Sequence, residues 1–76
     1  MELESFIKNF AAQFEDINAS ALQADTKFRE LDGWSSLVAL SIMAMVDEEY
    51  NATLKGDEIR NSHTISDIYN IVQQKI

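Results

Sequence analysis

Two adjacent serines, Ser35 and Ser36, stand where a turn at Gly33 meets the start of a predicted helix. A serine at such a junction is exposed to solvent and to the positive end of the helix dipole, so its hydroxyl is available for chemistry. Serine is also a common N-cap, a role that needs no further function. The local motif therefore leaves two interpretations open, a functional hydroxyl or a structural cap.

Other reactive side chains are scarce in this sequence. There is no cysteine and one histidine, His63, which we interpret as a surface or packing residue. Disulfides and cysteine-based zinc sites are therefore excluded, and the usual nucleophile–base pairs lack members. Asp32 and Gly33 do not begin a calcium loop, because the alternating oxygen ligands are absent. We expect no catalytic residues, no metal site and no enzymatic activity.

The chain is strongly acidic, with 13 acidic and 6 basic residues and a net charge of -7. This charge disfavours nucleic acid and favours basic protein surfaces as partners, although acidity also keeps a small protein in solution. Asp47, Glu48 and Glu49 form an acidic run at the end of the second predicted helix, where negative charge opposes the helix dipole. This unfavourable placement hints that the run serves a protein partner.

Length and hydropathy predict one domain that covers residues 1–76. No apolar run approaches the length of a membrane span, and the N-terminus lacks a basic region followed by an apolar stretch. We expect a soluble, cytoplasmic monomer that does not bind membranes and whose core comes from side-chain packing alone.

Apolar periodicity predicts the first helix and a long connection after it. The stripe of the first helix consists of Leu3, Phe6, Ile7, Phe10, Ala11 and Phe14. The connection extends from about residue 16 to residue 35, a length that is often functional. Leu22, Phe28 and Leu31 are expected to pin it to the core through a short helical turn.

The second helix is predicted from Ser35 or Ser36 to about Tyr50, with Asn51 ending it. Its first three turns are apolar nearly all round, so one face cannot hold every apolar side chain. The helix is therefore either central and buried or keeps an apolar patch for a partner. The residues expected to point inward are Leu37, Leu40, Ala44 and Tyr50, together with Val46 or Ile42.

A short helical turn from Gly56 to about Asn61 and a last helix complete the pattern. Thr64 and Asp67 resemble a capping box at the start of the last helix. Its stripe consists of Ile65, Ile68, Tyr69, Val72 and Ile76. The predicted fold is all-α, a small four-helix bundle of three main helices and one short helix, with a long loop between the first two.

Against this background, the whole chain resembles the acyl carrier protein family. That family has a glycine, a variable residue and then Asp-Ser-Leu at the head of the second helix, and this sequence has Gly33-Trp34-Ser35-Ser36-Leu37 there. The acidic run before Tyr50 matches the acidic helix end of the family. Phe28 is similar to the loop phenylalanine of the family, and Ile65, Ile68 and Tyr69 match its last helix.

The resemblance implies that a separate phosphopantetheinyl transferase esterifies Ser36 with 4'-phosphopantetheine from coenzyme A. The thiol of this arm would hold acyl groups as thioesters and carry them between acyl-processing enzymes with basic surfaces. Ser35 stands where the family usually has Asp, which removes a charge that the transferase uses. We hypothesise that Asp32 or Glu30 substitutes for it.

The resemblance also suggests a partner-binding surface on the second helix. Its predicted members are Ser35, Leu37, Val38, Ser41, Met45, Asp47 and Glu48. Val38, Met45 and Ala44 would form its apolar strip, with Asp47 and Glu48 as its acidic rim. Alternatively, Met45 and Val46 line a cavity for the acyl chain, since both side chains suit either setting.

Three functions remain open from the sequence. The first is a free-standing acyl carrier in fatty acid or related acyl biosynthesis. The second is an aminoacyl, peptidyl or specialised polyketide-type carrier, for which the serine at position 35 leaves room. The third is a helical protein-interaction module without a covalent group, in which Ser36 has no role beyond the helix start.

Overall fold

The computed structural model describes residues 2–76, which contain four α-helices and two short 3₁₀-helices. The α-helices are α1 (Leu3–Ala11), α2 (Ser36–Tyr50), α3 (Gly56–Arg60) and α4 (Ile65–Lys75), and the 3₁₀-helices are Ala19–Ala21 and Phe28–Glu30. Extended pairing among the described residues is limited to an isolated bridge between Lys27 and Thr64. The predicted all-α bundle with three main helices, one short helix and a long first connection is confirmed.

The helix ends follow the local signals in the sequence. The hydroxyl of Thr64 accepts a hydrogen bond from the N–H of Asp67, whose carboxylate accepts one in return from the N–H of Thr64. Asn51 ends α2 in the left-handed conformation (φ 53°), which asparagine tolerates better than most residues. Helix α1 ends at Ala11, so the predicted extension of its helical stripe to Phe14 is wrong, although Phe14 is buried in the core from the turn that follows.

A chain of aromatic rings forms the centre of the core. Phe6, Phe10 and Phe28 are completely buried. The ring centroids of Phe10 and Phe28 lie 6.0 Å apart, and those of Phe28 and Trp34 lie 4.9 Å apart. Aromatic pairs at these separations stabilise a fold beyond their burial alone. The chain of contacts links α1 to the turn that precedes α2.

The phase of α2 differs from the prediction. Leu37 and Leu40 are 73% and 61% exposed, and Ala44 is also exposed, so their predicted inward orientation is wrong. Ile42 and Val46 are buried together with Met45, and Tyr50 is half-buried as expected. Residues 42, 45 and 46 form one face at helical spacing, but the rest of the helix is so apolar that periodicity could not select this face.

The long connection is held by its apolar side chains and by Arg29. Leu22 and Phe28 are buried and Leu31 is half-buried, which confirms the predicted anchors. The guanidinium of Arg29 donates hydrogen bonds to the backbone oxygens of Ile59 and Ser62. The connection is thereby attached to the end of α3 and to the segment that follows it.

Helix α4 packs largely as predicted. Ile65, Ile68 and Val72 are buried and Tyr69 is half-buried. Ile76 is 57% exposed and lies beyond the last helical residue, so its predicted place in the buried stripe is wrong. The stripe ends with the helix, because beyond Lys75 the backbone no longer maintains the spacing that would direct a side chain inward.

Candidate attachment site at the start of α2

The turn before α2 is fixed to the core by an aromatic side chain. Gly33 adopts φ 89°, a conformation that is rare for residues with a Cβ atom. The N–H of Trp34 donates to the backbone oxygen of Leu31 at 3.2 Å. The indole ring of Trp34 contacts Phe28 and lies 6.3 Å, centroid to centroid, from Phe14. Trp34 thus positions the start of α2. This role was not predicted, although the aromatic side chain and its place in the motif indicate an anchor.

The two adjacent serines have different structural roles at the start of α2. Ser35 is the N-cap: its hydroxyl oxygen accepts a hydrogen bond from the N–H of Val38 at 3.2 Å, and its backbone oxygen accepts one from Ala39 at 3.0 Å. Ser36 is the first residue of α2 and is exposed. The cap function therefore belongs to Ser35, and the structure places the side chain of Ser36 at the surface beside it.

The electrostatics at Ser36 suit an attached phosphodiester. The N–H groups of Ser36 and Leu37 lie in the first turn of α2, where no intrahelical carbonyl precedes them, and the positive end of the helix dipole lies there. The first turn of α2 carries no acidic side chain. A phosphate bound through Ser36 would be stabilised by these groups. The exposed Asp32 lies in the turn before the helix and adds a negative charge nearby.

The predicted partner-binding residues occupy different environments. Ser35, Leu37, Asp47 and Glu48 are exposed. Val38 and Ser41 are half-buried. Met45 is only 5% exposed, so its predicted place in an exposed apolar strip is wrong. The reason is the phase of α2, which directs Met45 into the core beside Ile42 and Val46.

The exposed apolar side chains of α2 are Leu37, Leu40 and Ala44, which we call the Leu37–Ala44 strip. These residues recur at intervals of three and four, so they share one face of the helix. Leu40 also lies four residues after Ser36 and is near it on the surface. Leu40 was not predicted as a surface residue, although its spacing of four residues from Ser36 indicates that the two share a face of the helix.

The remaining predicted features lie away from this site. His63 is exposed, and its backbone N–H donates to the carboxylate of Asp67 at 2.9 Å. Within residues 2–76, no three histidine or acidic side chains are grouped as metal ligands would be. No helix in that same range combines the length and apolar character needed to cross a bilayer.

Comparison with known families identifies the chain. A family model described as the phosphopantetheine attachment site matches residues 5–72, which include the Gly33 turn and the whole of α2. The chain belongs to this family. The resemblance to acyl carrier proteins inferred from the sequence is thereby confirmed, as is 4'-phosphopantetheine as the covalently bound cofactor. Carrier domains of this family are generally non-catalytic and interact with phosphopantetheinyl transferases and processing enzymes.

The phosphopantetheine carrier fold positions the prosthetic group and holds it at the surface. When attached, the group supplies a thiol that holds cargo as a thioester. The protein contributes an anchored turn, a capped helix start and first-turn N–H groups that suit a phosphate. Within this division of roles, Trp34 and Ser35 stabilise the helix start and Ser36 presents a hydroxyl to solvent.

Proposed function

We propose that Ser36 carries the 4'-phosphopantetheine arm and that the protein transports acyl groups in fatty acid or related acyl biosynthesis. The observation that carries this proposal is the difference between the two serines. Ser35 already caps the helix through Val38, whereas Ser36 is exposed at the first position of α2 and directly precedes Leu37. A transferase can reach the hydroxyl of Ser36 without breaking the helix cap.

The surface around Ser36 supports recognition by basic partner enzymes. The Leu37–Ala44 strip is exposed between Ser36 and the acidic run, and Asp47, Glu48 and Glu49 are all exposed. An apolar strip with an acidic end complements a partner surface that combines apolar and basic side chains. We propose that such enzymes perform the catalysis and that this chain acts as a non-catalytic, single-domain carrier. Its cytoplasmic location and monomeric state remain predictions.

A second candidate is an aminoacyl, peptidyl or polyketide-type carrier. The observation that favours it is Ser35, because the acyl carrier family usually has Asp before the modified serine. Val38 and Ser41 also stand where carriers for fatty acids often have carboxylates. These differences reduce the negative charge that the start of α2 presents to a partner, but they do not change the cofactor.

Attachment is tested by intact mass. The purified protein is incubated with coenzyme A, magnesium and a broad-specificity phosphopantetheinyl transferase. We expect a mass gain equal to one phosphopantetheine, which Ser36→Ala abolishes and Ser35→Ala only slows. Loss of the gain in Ser35→Ala with retention in Ser36→Ala would place the attachment one residue earlier. No gain with several transferases would instead support an unmodified interaction module.

The cargo is tested by the masses of the species isolated from cells. A thioester-linked aliphatic acyl group on Ser36 would support fatty acid or related acyl biosynthesis. An amino acid or peptide thioester would support the second candidate. The comparison uses Ser36→Ala as its control, because that variant has no hydroxyl at this position and should yield a single unmodified species.

A further inference from the structure

Arg29 lies between the end of α3 and the aromatic core. Its guanidinium donates hydrogen bonds to the backbone oxygens of Ile59, at 3.0 Å, and of Ser62. The central carbon of the same guanidinium lies 5.1 Å from the centroid of the Phe28 ring, within the range of a cation–π interaction. One side chain therefore binds both the backbone at the end of α3 and the face of a completely buried ring.

Phe28 also contacts the turn before α2. Its ring centroid lies 4.9 Å from that of Trp34, which is two residues before Ser36 in the sequence. In the described part of the chain, the backbone N–H of Trp34 donates within the turn itself, to the oxygen of Leu31. The position of the turn relative to the rest of the protein therefore depends on the ring contacts of Trp34.

Ring contacts hold a turn in one position only if the partner ring is itself fixed. An aromatic pair is attractive over a range of tilts and offsets. A cation prefers the face of a ring, so the guanidinium of Arg29, which two carbonyl oxygens hold in place, favours one orientation of Phe28. Group transfer to a hydroxyl requires the reacting atoms to be aligned, and a small displacement lowers the rate.

We propose that Arg29 is a positioning residue for the attachment of phosphopantetheine to Ser36 and that it acts through Phe28 and Trp34. The inference rests on the proposed function, because it takes Ser36 as the modified serine. It adds that the end of α3 belongs to the structure that places this hydroxyl. A displacement of that end would change the position of the turn through Arg29.

The charge of Arg29 acts in the opposite direction to its positioning role. The net charge of the protein is -7, and loss of a cation makes it more acidic, which favours association with a basic partner surface. Slower modification of Arg29→Ala would therefore not come from weaker attraction between the two proteins. Arg60→Ala is the matched control, because it removes the same charge from an exposed side chain at the end of α3.

Trp34 provides a measurement that does not depend on any transferase. It is the only tryptophan in the chain, so its emission spectrum and its quenching by acrylamide report on this turn. Both are recorded without denaturant for Arg29→Ala, Arg29→Lys and Arg60→Ala. Val72→Ala, which truncates a buried side chain of α4, controls for general destabilisation. The kcat/KM of mass gain is measured on the same samples, and urea denaturation identifies the variants that are folded.

We expect Arg29→Ala to shift the Trp34 emission to longer wavelength, to increase its quenching and to lower kcat/KM by about twofold to thirtyfold. Arg29→Lys should show smaller changes in the same direction, because lysine keeps a cation for the ring but lacks the planar fork of donors. This variant carries the test if Arg29→Ala is unfolded. Arg60→Ala and Val72→Ala should leave the emission and kcat/KM nearly unchanged.

Two results would overturn the proposal. The first is a folded Arg29 variant whose Trp34 emission and kcat/KM equal those of the protein with Arg29, because Arg29 would then contribute to stability alone. The second is an equal emission shift and loss of rate in Val72→Ala, which would assign both effects to general loosening of the fold. Absence of any mass gain in the protein with Arg29 would contradict the proposed function separately, since the Trp34 emission still tests the contact.

Discussion

The hydroxyl oxygen of Ser35 accepts a hydrogen bond from the backbone N–H of Val38 at 3.2 Å. This contact satisfies one of the unpaired donors at the start of α2. We predict that Ser35→Ala lowers the free energy of unfolding by about 1 kcal/mol, the usual value of an N-cap. Ser35→Asp should keep the cap and, by restoring the family's usual acid, speed modification by the transferase. Urea denaturation measures the change in stability, and the rate of mass gain measures the modification. Equal stability of Ser35→Ala and the protein with Ser35 would contradict the predicted loss of the cap.

Because the side chain of Leu37 is exposed, we expect it to contribute to recognition by partner enzymes but little to the stability of the fold. We predict that Leu37→Ala changes the free energy of unfolding by less than about 0.5 kcal/mol, because the side chain is 73% exposed. The same variant should slow modification by the transferase, since it removes an apolar contact beside Ser36. Ile42→Ala, which truncates a completely buried side chain on the same helix, should cost about 2–5 kcal/mol. A large stability loss in Leu37→Ala would mean that this side chain belongs to the core.

Arg29 attaches the long connection to the end of α3 and to the segment that follows it. Its guanidinium donates to the backbone oxygens of Ile59 and Ser62, and Ser62 is only 2% exposed. We predict that Arg29→Ala destabilises the protein by about 1–3 kcal/mol, because a buried carbonyl loses its partner. The exposed Arg60 provides a control with the same change of charge, and Arg60→Ala should have a small effect. Chemical denaturation of both variants tests this, and equal losses would assign the effect to net charge.

Two carboxylates make stability depend on acid pH. A hydrogen bond from Lys75 is the main cause that lowers the pKa of Glu58 below its ordinary value of 4.5. Hydrogen bonds from the backbone N–H groups of His63 and Thr64 lower the pKa of Asp67 below 3.8. A carboxylate with a lowered folded pKa stabilises the protein above its unfolded pKa, and this contribution is lost as the pH falls through the folded value.

We therefore predict that the free energy of unfolding declines as the pH falls below about 4.5 and continues to decline below 3.8. Glu58→Gln and Asp67→Asn should each flatten part of this decline, and Lys75→Met should remove much of the part that belongs to Glu58. Urea denaturation at several pH values and constant ionic strength provides the measurement. Unchanged pH profiles in all three variants would show that these hydrogen bonds do not stabilise the fold.

The net charge of -7 is concentrated in a small volume, with a radius of gyration of 11.0 Å. The Debye length at 0.1 M salt is about 10 Å, so moderate salt screens repulsion across the whole molecule. We predict that moderate salt or divalent cations raise the melting temperature by several degrees. The ion pair between Lys75 and Glu58 is weakened by the same screening, but it is the one ion pair among residues 2–76. A melting temperature independent of salt would show that self-repulsion is insignificant here.

Local signals were sufficient to predict where α2 ends and where α4 begins. Thr64 and Asp67 form the predicted reciprocal cap, and Asn51 ends α2 where the sequence indicates. Such motifs involve neighbouring residues, so their hydrogen bonds do not depend on the rest of the fold. The apolar residues of the long connection were likewise correctly predicted as anchors, because the surrounding polar sequence leaves Leu22 and Phe28 few other roles.

The orientation of α2 could not be predicted in the same way. Leu37, Leu40 and Ala44 were expected to be buried, yet Ile42, Met45 and Val46 take that place. A helix that is apolar nearly all round has no preferred face of its own. Its orientation is determined by the space that remains for its side chains once the other helices and the aromatic core have packed.

The sequence by itself determined the helices, the acidic character and a Ser-Ser-Leu motif after a glycine turn. The resemblance pointed to Ser36 as the attachment serine, but the local sequence could not decide which serine caps the helix, because either one can. The tertiary structure decided that Ser35 is the cap and that the turn is held by Trp34 against Phe28. A groove lined by residues of the turn after α1, the long connection and α2 also exists only in the folded chain, because these distant residues meet through packing.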